Sequence, residues 1–186
     1  MKTYQVMDLM VPLSEYATVS KGATLYDAIL ALEKVQMEYD HTKYRHRAVL
    51  VLDRHHRVIG KLGQLDVLRA LEPAMEDENA FLKLDQFGFS KSFIHSLRKQ
   101  RRMENTSLEE MCRSAAKLKV EDFMQATEEG EYIEARSSLD QAINQLVLGH
   151  HLSLLATREQ KIVGILRLSD VFAAVFHTMK KFEGNF

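Results

Sequence analysis

The chain has 186 residues, 46% of them hydrophobic, a formal net charge of −1 and a single cysteine. That much apolar side chain can bury a core as one domain or as two small halves packed together, and the near-zero charge removes any global pull toward nucleic acid or membrane. Cys112 has no cysteine partner for a disulfide or a zinc site; no apolar run approaches the roughly 20 residues that cross a bilayer, and MKTYQVMDLM lacks a signal-peptide core, so a cytoplasmic protein is expected.

In chain order, the first stretch is a strand or extended lead-in, Val6 to Met10. Leu25, Ala28, Ile29 and Leu32 then fall at i, i+3, i+4 and i+7, the stripe of an amphipathic helix. The polar stretch EYDHTKYRHR, near Glu38 to Arg47, reads as a helix extension or an exposed loop. Two apolar runs follow, Val49 to Leu52 and Val58-Ile59-Gly60, joined by the polar turn Arg54-His55-His56-Arg57, which predicts a hairpin. Asp66 stands ahead of the next apolar stretch, where a carboxylate caps the first free amides of a helix.

The middle, residues 73–118, opens acidic and turns basic in KSFIHSLRKQRRM. Two or three helices fit, one of them starting at a capping box, Ser107 with Glu110. Phe81, Leu84, Phe87, Phe89, Phe93, Ile94, Leu97 and Leu108 are too many apolar side chains for a disordered linker. Arg98, Lys99, Arg101 and Arg102 read either as a partner or nucleic-acid contact or as a solvated helix face; charge runs are more often the second, so nucleic acid is not expected.

After that the first series recurs. Val120 to Met124 repeats the lead-in; Leu139, Ala142, Ile143 and Leu146 repeat the stripe; Leu154 to Ala156, the turn Arg158-Glu159-Gln160-Lys161 and Ile162-Val163-Gly164 repeat the hairpin; Asp170 repeats Asp66. A repeat of this kind decides architecture before propensity does. Asp8 and Asp122 are 114 residues apart but Gly60 and Gly164 only 104, so the first copy holds about ten extra residues between its helix and its next strand. The expected class is α+β, two strand-helix-strand-strand-helix repeats at 1–72 and 119–186 with a helical insert at 73–118.

Three pieces occur twice in the same order: V-x-D-hydrophobic-M, a helix with a central alanine, and two apolar residues and Gly, then five residues, then Asp. In these the chain resembles the cystathionine-β-synthase (CBS) domain family, found in tandem as a Bateman module. The resemblance implies repeats related by a pseudo-twofold axis, sheets packed face to face, homodimers, and clefts for adenosine ligands such as AMP, ADP, ATP or S-adenosylmethionine. It implies a regulatory sensor with no catalytic residues and no resident cofactor, read by a partner protein. The alternative is a dimerisation or interaction platform that has lost ligand binding and works through its inserted helices.

The resemblance carries over Asp66, Asp170 and Ser169. A carboxylate in the first turn of the closing helix accepts both ribose hydroxyls, while free amides and the helix dipole favour phosphate nearby. Where the family commonly has Ser or Thr, three residues before and one before the aspartate, the first copy has Gly63 and Leu65 and the second has Arg167 and Ser169. Arg167 joins the set on chemistry alone, since a guanidinium pairs with phosphate in a bidentate way. Val49 and Leu152 are candidates to sandwich the adenine. The plainer readings stand beside these: Asp66 and Asp170 as helix caps, Ser169 sharing one, Arg167 as a solvated edge-strand charge. His55-His56 and His150-His151 are adjacent pairs, and neighbours on a strand point to opposite faces, which argues against a metal site. No nucleophile triad, paired-carboxylate motif or glycine-rich phosphate loop has a signature here.

Overall fold

The computed structural model describes residues 4–38, 46–71 and 107–181, together with 90, 92, 93 and 96. The first repeat contains α1 (Val6–Leu9), β1 (Val11–Pro12), β2 (Thr18–Ser20), α2 (Leu25–Glu38), β3 (Ala48–Leu52), β4 (Val58–Gly63) and α3 (Gln64–Leu71). After α4 (Leu108–Ala115) come a 3₁₀ turn (Val120–Asp122), β5 (Gln125–Ala126), β6 (Tyr132–Glu134), α5 (Leu139–Leu148), β7 (Ser153–Arg158), β8 (Lys161–Arg167) and α6 (Leu168–Lys180).

Short-range chemistry sets the ends of these elements. The Asp27 amide donates to Thr24 Oγ1 and the Thr24 amide to Asp27 Oδ2, a reciprocal cap that starts α2. Ser138 with Gln141 does the same for α5, and Ser107 with Glu110 starts α4 as the sequence predicts. The β7–β8 hairpin turns through Glu159 and Gln160, with φ of 51° and 62°, the pair of left-handed residues that matches the twist of the strands.

The lead-ins depart from the sequence reading. Each is a single helical turn before a two-residue strand; in the first, Asp8 accepts the Gln5 amide and closes the turn. Each also leaves its own repeat. The sheet orders are β1-β8-β7-β6 and β2-β3-β4-β5. Thus Val11 and Pro12 pair with Ile165 and Gly164 of the second repeat, while Gln125 and Ala126 pair with Lys61 and Gly60 of the first.

The cores follow the exchange. Val6, with Leu9 and Met10, packs among Ala142, Leu146, Leu154, Leu166 and Val171, while Val120, Phe123 and Met124 pack among Leu25, Ala28, Val49, Val51 and Leu62. Strand alternation then gives each sheet a second apolar face. Leu50 and Val58 of one sheet meet Leu155, Ile165 and Val11 of the other, with Tyr16 from the segment before β2, in a third core.

The glycines of the apolar-apolar-Gly motif are required by close approach. A Cβ at Gly60 would stand 2.9 Å from the Gln125 carbonyl oxygen, and one at Gly164 2.6 Å from that of Val11. Each motif glycine is where the lead-in of the opposite repeat lies against the strand. Of the insert, α4 is described; it packs on the first repeat through Ala115, and the main chain beyond it bonds to α2 through Leu118 O and the Leu25 amide. Arg98, Lys99, Arg101 and Arg102 lie outside the described residues.

Candidate functional site

Both closing helices begin directly at the end of a strand, α3 after Gly63 and α6 after Arg167. Asp66 and Asp170 are each the third residue of the helix rather than its cap, so their carboxylates point back at the strand end.

At α6, Arg167 holds Asp170 in a two-point pair: Nε donates to Oδ2 and Nη2 to Oδ1, both at 2.6 Å. The pair is shielded, Arg167 being only 7% exposed. Ser169 lies half-buried beside Asp170, and Ser153 of β7 is the ladder partner of Arg167. From the first repeat, His46 and Tyr16 lie edge to face at 4.5 Å. His46 is fully buried, and its pKa is pushed down to about 4, chiefly by burial, then by the Arg167 cation, against an opposing pull from Asp170.

At α3 the arrangement is different. Asp66, 2% exposed, accepts the Gly63 amide at 2.8 Å, Arg69 Nη1 at 3.0 Å, and Gln125 Nε2 at 3.0 and 3.3 Å. Its partners include backbone and the crossing lead-in. Here the capping reading describes what the carboxylate does, in reciprocal form, because it bonds the amide of the residue before the helix. Leu65 beside it is exposed.

Between the sheets runs a buried ion pair that the sequence reading missed. Lys61 of β4 reaches across to Glu131, ahead of β6, and lies 3.5 Å from Ser153 Oγ. His151 Nδ1 lies 3.9 Å from the same carboxylate. The signal was present: in the aligned copies Lys61 stands where the second has Ile165, a charge in an apolar run. Ser153 thus has Arg167 as ladder partner and Lys61 within reach, and each cation is met by a carboxylate. Such an arrangement can hold an anion wherever a ligand displaces one of those carboxylates.

Val49 is a correction. It faces the helices, inside the first core with Val51 and Leu62, because alternation turns Leu50 rather than Val49 toward the other sheet. Leu152, 78% exposed, precedes β7, and its carbonyl oxygen accepts the Leu168 amide that opens α6. The histidine pairs are not on strands either: His55 and His56 form the β3–β4 turn, and His150, with φ of 51°, follows α5. Among the described residues no three His, Cys, Asp or Glu side chains gather where they could hold a metal ion.

Residues 6–73 match the sequence model of the CBS domain family. Among solved structures, the chain is similar to a CBS domain-containing protein of unknown function from Bacillus anthracis, with a TM-score of 0.60 and 18% identity over 94% of each chain. It is similar to CBSX2 in complex with AMP, with a TM-score of 0.57 and 18% identity over 95% of this chain and 98% of that one. A putative acetoin utilization protein from Vibrio cholerae gives a TM-score of 0.58 and 15% identity over 99% and 98% of the two chains. No curated protein sequence matches the chain.

Proposed function

Because residues 6–73 match the CBS domain family and the fold is that of CBS-domain proteins throughout, we propose that the chain is a tandem CBS-domain protein, a non-enzymatic regulatory module that binds an adenosine ligand beside Asp170. The observation that carries this is the start of α6. A carboxylate suited to two ribose hydroxyls and a guanidinium suited to phosphate stand three residues apart, at a helix N-terminus that favours anions. The AMP complex of CBSX2 has the same fold and adds weight to an adenosine ligand. Groups around the site come from both repeats, His46 and Tyr16 from one, Arg167, Ser169 and Asp170 from the other, so a ligand with different affinity for two arrangements of the sheets shifts their balance. A partner protein then reads the shift.

Self-association is part of the reading. Leu168, Phe172, Phe176 and Met179 follow one side of α6 and are exposed, and a patch of that kind usually meets a partner. Val175, on another side of the helix, packs in the second core. A second copy would double the chain mass of 21.4 kDa in light scattering. The platform reading draws support from Asp66, whose oxygens are taken up by the chain's own donors.

The deciding experiment is a thermal-shift series with AMP, ADP, ATP and S-adenosylmethionine on the purified chain. A single-site ligand at 100 times its dissociation constant adds about 2.7 kcal/mol. No change in melting temperature with any of them at millimolar concentration rejects the sensor and leaves the platform.

A further inference from the structure

Resting on the reading that the carboxylate of a closing helix takes the ribose, we propose that the chain closes its own first cleft: Gln125, from the lead-in of the second repeat, occupies the ribose position at Asp66, so that each chain binds one adenosine ligand rather than two. Gln125 Nε2 donates to both oxygens of Asp66, at 3.0 Å to Oδ1 and 3.3 Å to Oδ2, the same pair of acceptors that a ribose diol needs. Arg69 Nη1 also donates to Oδ1, and the Gly63 amide to Oδ2. A carboxylate offers about four lone pairs, and these four contacts use them. Arg69 is well exposed and can turn to water, but that frees part of Oδ1 alone. Only the departure of Gln125 opens both oxygens to a diol.

The fold fixes Gln125 in this place. β5 pairs with β4 so that Gln125 lies opposite Lys61, and opposite residues of a ladder project from the same face. In the second repeat the matching ladder position, opposite Ile165, holds Val11, which is buried in the third core and has no side-chain donor. The crossing strand therefore offers an amide in one repeat and an isopropyl group in the other. A donor built into the chain competes with a ligand at every concentration. One hydrogen bond to a charged group favours the closed form by about tenfold to a hundredfold, and the apparent affinity of the first cleft falls by the same factor.

Calorimetric titration of the full chain with AMP, ATP and S-adenosylmethionine tests this, on the native protein, on Gln125→Val, which copies Val11, and on Gln125→Val/Asp66→Ala. The native chain should take up one equivalent. Gln125→Val should gain a second, bound at least tenfold more tightly than any second event in the native protein, and the double variant should lose it again. Two equivalents of similar affinity on the native chain, no gain in Gln125→Val, or a gain that survives Asp66→Ala each overturn the proposal. If the variants do not fold, the side-chain amide signals of Gln125 in the NMR spectrum of the native protein decide: they should keep their positions when the ligand is saturating, and movement to the positions of a solvated glutamine shows that the ligand displaces Gln125 and overturns it. Heat from none of the three ligands, on the native chain or on Gln125→Val, is a different failure, that of the adenosine reading itself, and the closed cleft falls with it.

Discussion

At the scale of single residues, the apolar seam between the sheets also holds buried titratable groups. His46 is held neutral, with its pKa lowered to about 4. An unfolded chain takes up the histidine proton below about pH 6.5, whereas the fold refuses it until about pH 4, so stability is complete above 6.5 and declines as pH falls toward 4. Urea unfolding followed by circular dichroism should show a loss of about 2 kcal/mol between pH 7.5 and 5 from this group, and His46→Phe should remove that part of the slope. Lys61 and Glu131 form the second buried feature, at 9% and 8% exposure. Lys61→Met leaves Glu131 uncompensated and should cost about 3–5 kcal/mol, while Lys61→Met/Glu131→Leu, which removes both charges, should recover most of it. If the double variant is no more stable than the single, the pair is not the unit that matters.

At the scale of elements, the motif glycines turn sequence into topology. Gly164→Ala would set a methyl group 2.6 Å from the Val11 carbonyl oxygen, which cannot move away without opening the β1–β8 ladder. A loss of about 1–3 kcal/mol is expected, visible as a lower urea midpoint and as faster amide exchange at Ile165. Unchanged exchange there would mean that the close approach is relieved elsewhere. The same elements show what was legible beforehand. The stripe of Leu139, Ala142 and Leu146, the hairpins and the Ser107 cap were readable because each rests on neighbours a few residues away. The exchange of lead-ins was not, since nothing in VMDLM or VEDFM records which sheet receives it. Gly63 and Leu65 against Arg167 and Ser169 already set Asp66 and Asp170 apart in the sequence, but they do not tell that Gln125, 59 residues away, takes up the Asp66 oxygens or that Arg167 pairs with Asp170. Val49 was misplaced by treating an apolar run as one surface when alternation splits it between two.

At the scale of the whole molecule, neither repeat owns a complete core, because Val120 belongs to the first and Val6 to the second. Residues 1–106 and 107–186, produced separately, should each fail to unfold cooperatively, and mixing them should restore the transition in a one-to-one complex measurable by light scattering. A cooperative transition in either fragment alone would show that the exchange is dispensable. The exchange also has a consequence for synthesis. On the ribosome a first domain ordinarily folds before the next emerges. Here the first core waits for Val120 and Met124, which follow the whole first repeat in the chain, and Val6 and Met10 pack with Ala142, Leu146, Leu154 and Leu166, which are made later still. Val6 and Met10 are thus made before the rest of the core that seats them, and a nascent chain carries these apolar side chains in need of shelter until the second repeat has emerged.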